Sequence, residues 1–76
     1  MFDTTQHRAK QTIEAMSQTA DPVTKAMSLG LMNQDDLARL SGLNTKTLRA
    51  IQEGKRATKA QLAALTFAAI RRIINV

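Results

Sequence analysis

The chain has 76 residues, a formal net charge of +5 and no cysteine. A chain this short builds one small core worth roughly 5 kcal/mol or less. Lacking cysteine, it has neither a disulfide nor a thiolate metal site, and a single histidine excludes a histidine-rich metal cluster.

No stretch approaches the roughly 18–20 continuous apolar residues of a membrane span. The N-terminus lacks the basic-then-apolar pattern of a secretory signal. A cytoplasmic protein without a membrane association is expected. A pI of about 10.5 suits a polyanionic partner. No sustained alternation of branched or aromatic residues signals a strand, so the expected class is all-α, with five helical segments.

The first segment covers about residues 4–20. Asp3 and Gln6 are spaced as a capping box, and Phe2, Ala9, Ile13, Met16 and Ala20 form a narrow apolar stripe at helical spacing. His7, the only imidazole, suits a solvated or capping role rather than catalysis. Asp21-Pro22 opens the second segment, since Asp caps well and Pro at the first helical position loses no hydrogen bond. This helix should end near Gly30, with Val23, Ala26 and Met27 facing inward.

Residues 34–54 predict two short helices across a tight corner. Asn33 caps the first, which ends at Gly42; Asn44 caps the second, which ends at Gly54. Glycine takes a left-handed helix end without strain. Leu37, Leu40, Leu43, Leu48 and Ile51 recur at the spacing that turns both helices into one core. Ala38 falls where the two pass closest. Asp35 and Asp36 suit the positive end of the first helix and point apart, so they do not form a metal site.

The exposed positions of this pair carry the functional signal. Lys46 and Arg49 lie on the second helix, Lys55 and Arg56 follow it, and no acidic side chain occurs after Glu53. Two helices so joined outline a helix-turn-helix reader of double-stranded DNA. If the second helix enters a major groove, Asn44, Thr45, Lys46 and Arg49 approach base edges. Arg and Lys donate to guanine O6 and N7, and Asn pairs with adenine. Gln34 and Asn33 sit where free backbone N–H groups favour a phosphate. Lys55, Arg56 and, behind them, Lys59 are the cationic phosphate candidates.

The fifth segment covers about residues 58–74, with Thr58 and Gln61 as a second capping box. Leu62, Leu65, Ala69 and Ile73 make its inward face. Ala63, Phe67, Ile70 and Ile74 widen the apolar band beyond what one small core needs. Phe67, Ile70 and Ile74 are therefore expected to meet another surface. The N-terminal helix and a second subunit are equally open as the occupant. No nucleophile–base pair and no Gly-rich phosphate loop is present, so neither enzyme activity nor a cofactor is expected.

Residues 34–56 resemble the helix-turn-helix of the lambda-repressor and Cro-like family of bacterial and phage transcriptional regulators. The resemblance rests on Gln34 opening the first helix, Ala38 at its fifth position, Gly42 at the corner, apolar Leu48 and Ile51, and the ending Glu53-Gly54-Lys55-Arg56. It is tight over about a third of the chain and extends loosely from Asp21 to the C-terminus. It implies a compact lambda-repressor-like domain over 21–76, preceded by an N-terminal helical extension over 1–20. It further implies phosphate contact at Gln34 and near Lys55 and Arg56, base reading by Thr45, Lys46 and Arg49 with Asn44 at the edge, and a repressor acting as a homodimer on a two-fold symmetric operator. Three features depart from the family pattern. Leu31-Met32 lengthens the joint before the first motif helix by one residue, Ala57-Thr58 replaces a common Pro-Ser, and the added first helix comes with no room for the usual last one.

Three other kinds of protein share these features, the most remote of them a basic amphipathic helix lying on a membrane surface. An antitoxin-like or anti-repressor module would use the apolar last helix for a protein partner. A structural helical bundle would use the same fold for interaction alone.

Overall fold

Side-chain caps set most of the helix starts. The computed structural model describes residues 4–74, which form α1 (Thr4–Gln18), α2 (Pro22–Gly30), α3 (Gln34–Ser41), α4 (Thr45–Gln52) and α5 (Lys59–Ile74). Asp21 Oδ1 accepts from the Thr24 N–H at 3.1 Å, and Oδ2 from the Thr24 hydroxyl at 2.7 Å. Asn33 Oδ1 accepts from the Asp36 N–H at 2.8 Å, and Asn44 Oδ1 from the Thr47 N–H at 2.7 Å. At α5 the capping box closes in both directions. The Gln61 N–H donates to Thr58 Oγ1 at 3.1 Å, and the Thr58 N–H donates to Gln61 Oε1 at 3.0 Å. Each cap satisfies a donor that the helix itself leaves open. The box expected from Asp3 and Gln6, and the place of Phe2 on the apolar stripe, lie outside the described residues.

The ends of α2, α3 and α4 fall where the sequence places them. Gly42 is left-handed (φ 76°), and its N–H donates to the Ala38 carbonyl. α4 is capped by Glu53 with right-handed backbone (φ −83°), and Gly54 just past it is left-handed (φ 113°), as expected. α2 ends at Gly30 as expected, yet the left-handed position falls on Leu31 (φ 50°, ψ 52°). Gly30 serves another purpose. A Cβ there would lie 2.8 Å from Met32 Cε and 3.2 Å from both Cβ and Cγ of Arg72, so the missing side chain is what lets α5 pass close to the end of α2.

The core draws on every helix: Met16 from α1, Val23 and Ala26 from α2, Leu37 from α3, Leu48 and Ile51 from α4, and Leu65, Ala68 and Ala69 from α5, with Met32 from the α2–α3 joint. Fully burying each Leu contributes about 1.5–3 kcal/mol. α5 packs against α1, α2 and α3, while α4 sits on α2 and α3. The Cα radius of gyration is 11.8 Å, near the roughly 11 Å of a compact chain this long.

α1 departs from its expected register. It stops at Gln18 rather than near residue 20, and its buried face centres on Thr12 and Met16. Ile13 is 53 % exposed and Ala20 is exposed as well, contrary to the predicted stripe. The reason is local. The Thr12 hydroxyl donates to the Arg8 carbonyl at 2.8 Å, which satisfies it inside the helix and lets a polar residue face the core. The face rotates accordingly, and Ile13 moves to its rim. Because Met16 belongs to the same core as residues of α2–α5, α1 is packed into that core.

On α5, Leu65 and Ala69 are buried while Leu62 and Ile73 are half-buried, and Ala68 completes the inward face. α1 covers only part of the remaining apolar band.

Candidate functional site

α4 owes its orientation to Leu48 and Ile51, which are 0 % and 2 % exposed. At about 100° of rotation per residue, this anchors one side and turns the other outward. Thr45, Lys46 and Arg49 are all exposed, as is Asn44 at the cap. Asn44 spends its side-chain oxygen on the Thr47 N–H, so it offers an outside partner its amide donors. Thr47 and Ala50 lie half-buried at the flanks.

The start of α3 meets the end of α4. Gln34 Nε2 donates to Gln52 Oε1 at 2.9 Å, and Gln52 Nε2 donates onward to Thr24 Oγ1 at 3.4 Å. Thr24 in turn donates to the Asp21 carboxylate. A chain of four side chains thus ties the starts of α2 and α3 to the last turn of α4. Sequence reading placed Gln34 and Asp21 as isolated terminal residues and missed Gln52 and Thr24. No periodic signal marks a contact 18 or 28 residues apart. One Gln34 donor is engaged by Gln52, and Asn33 Oδ1 is engaged by its own helix. Arg39, also exposed, pairs with Asp36 at 3.5 Å.

Beyond α4 the chain folds back tightly. The Gly54 N–H donates to the Ile51 carbonyl at 3.1 Å and the Lys55 N–H to the Ala50 carbonyl at 3.0 Å. Lys55 and Arg56 are exposed just past this turn and border a cleft shared with Thr19, Ala20 and Pro22 of the α1–α2 region. Lys59 lies apart from them, lining a groove between α1 and α5. The same groove is lined by Ile13, Leu62, Ala63, Phe67 and Ile70. Phe67 is 60 % exposed and Ile74 is 51 % exposed, whereas Ile70 is half-buried.

Among the described residues, no cluster of His, Cys, Asp and Glu is placed to hold a metal ion, and no helix is long and apolar enough to cross a membrane. The described residues define a small all-helical protein in which α4 turns a polar side outward and a basic turn follows it. No protein-family model matches the chain, and no curated protein or solved structure matches it either.

Proposed function

We propose that the protein binds double-stranded DNA in a sequence-specific manner, with α4 entering the major groove. The observation that carries this reading is the division of α4 into a buried apolar side, Leu48 and Ile51, and an exposed side bearing Thr45, Lys46 and Arg49. An α-helix fits the major groove, and these side chains have the donors that base edges require. Lys55 and Arg56 flank the helix as phosphate contacts, with Asn33 and Gln34 at the start of α3 on the adjoining strand and Lys59 more distant. Phosphate contacts supply most of the affinity and base contacts the choice of sequence. The resemblance of residues 34–56 to the lambda-repressor and Cro-like family supports a transcriptional regulator of the repressor type, acting as a homodimer. Selection from random duplex DNA tests this. A recovered motif with two half-sites about one helical turn apart supports it, and recovery of no motif counts against it.

The exposed apolar groove of α1 and α5 favours a second reading, in which the protein is an antitoxin-like or anti-repressor module whose main partner is another protein. Phe67 would be central to that contact. The two readings separate on one variant: under the second, Phe67→Ser abolishes a stoichiometric hetero-complex, whereas under the first it loses at most the homodimer and the monomer still binds a half-site.

A further inference from the structure

The helix α3 presents two different sides to two different neighbours. Gln34 faces the end of α4, whereas Asp36 and Leu40 lie roughly 200–240° further round the helix and border a cleft against α5. That cleft, of about 390 Å³, is lined by Asp36, Arg39, Leu40, Arg71 and Arg72. Three arginines and a single carboxylate line it.

The fold uses two of the three only in part. Arg72 is positioned without being neutralised. Its Cβ and Cγ pack over Gly30, and its Nε donates to the Gly30 carbonyl at 3.2 Å, while its terminal nitrogens make no hydrogen bond among the described residues. Arg39 holds Asp36 only at 3.5 Å, and its side chain is 79 % exposed. Arg71, exposed one residue before Arg72, has no ion-pair partner among the described residues. A solvated surface would be served equally by lysine. Guanidinium groups at the rim of one cleft offer planar donors that match the oxygens of a phosphate in pairs. The carbonyl ends of α3 and α5 and the Asp36 carboxylate disfavour an anion here, with about two negative charges between them against the three of Arg39, Arg71 and Arg72.

We infer that the α3–α5 cleft is a binding site for a phosphate group, formed by Arg39, Arg71 and Arg72 and separate from the α4 face. The phosphate belongs either to a small phosphorylated compound or to the backbone of a nucleic acid. In both cases the recognition is the same, bidentate donation from arginine to non-bridging oxygens.

The test is NMR titration of the full chain at constant ionic strength, following the arginine Nε–H resonances and the Leu40 amide. One arm adds inorganic pyrophosphate, the second a short duplex, and a third chloride as a control for charge alone. Saturable shifts of Arg39, Arg71 and Arg72 below about 10 mM pyrophosphate, absent with chloride, support a site for a free phosphorylated compound. The same shifts appearing with duplex and not with pyrophosphate support a backbone contact. Arg71→Gln, which touches neither the core nor Gly30, should weaken the response about 5- to 10-fold. Arg39→Gln should do the same. Absence of cleft shifts in both phosphate arms, or shifts equal to those with chloride, overturns the site. Shifts of α4 residues alone in the duplex arm bear on the DNA reading and not on this one.

Discussion

Gln34 and Gln52 meet across the α3–α4 corner at 2.9 Å, joining the first residue of one helix to the last of the other. This contact sets how far the exposed side of α4 stands from the free N–H groups at the start of α3. Both would have to reach a single duplex at the same time. A net hydrogen bond of this kind contributes about 0.5–1.5 kcal/mol. Gln52→Ala should lower stability by that amount in urea denaturation. It should also weaken DNA binding, although Gln52 is not itself assigned to a base or a phosphate. A double-mutant cycle with Gln34→Ala should return a coupling of about 0.5 kcal/mol or more.

Leu31 carries a strained backbone at an 85 % exposed site. A left-handed conformation costs a β-carbon residue roughly 1–2 kcal/mol, and Asn tolerates it better than Leu. Leu31→Asn should therefore stabilise the protein by about 0.5–1 kcal/mol, read as a higher urea midpoint with an unchanged slope. DNA affinity should stay the same.

Gly30 should behave in the opposite way. Alanine in a helix is ordinarily favoured over glycine by about 1 kcal/mol. Here the new methyl meets Met32 Cε, which can swing aside, and the stem of Arg72, which is fixed at both its Cβ and its Nε. Overpacking of this sort costs about 1–3 kcal/mol. Gly30→Ala should thus lower the thermal midpoint.

Met16 tests whether α1 belongs to the folded unit. Truncating a fully buried Met typically costs roughly 2–5 kcal/mol, and Met16 is 2 % exposed. Met16→Ala should destabilise the whole domain in one cooperative transition. Ile13→Ala, at the rim of the same helix, should cost less than half as much.

These residues also show which parts of the fold are legible in a sequence. Caps are local, so Asp21, Asn33, Asn44 and the Thr58–Gln61 box appear where spacing predicts them. The inward positions of α3 and α4 are legible for the same reason, since Leu37, Leu48 and Ile51 each have only one apolar side to choose. α1 misleads because Thr12 satisfies its own hydroxyl through the Arg8 carbonyl, and hydrophobic periodicity does not register a buried threonine. Gly30 is legible only as the end of α2, because its role as a passing point for Arg72 depends on a segment 42 residues away. At the candidate site, exposure of Thr45, Lys46 and Arg49 follows from helix periodicity alone. The Gln34–Gln52–Thr24 connection does not, because it exists only once three helices have been assembled.

The most direct test of the DNA-reading account compares two arginine-to-alanine variants on a selected duplex and on its single-base variants across a range of salt. Arg49→Ala should lose about 1–3 kcal/mol of discrimination at one base pair and keep its preferences at the others. Arg56→Ala should weaken binding to every duplex alike and reduce the salt slope by about one. If Arg49→Ala bound all the duplexes with the preferences of the unmodified protein, α4 would not be the element that reads DNA.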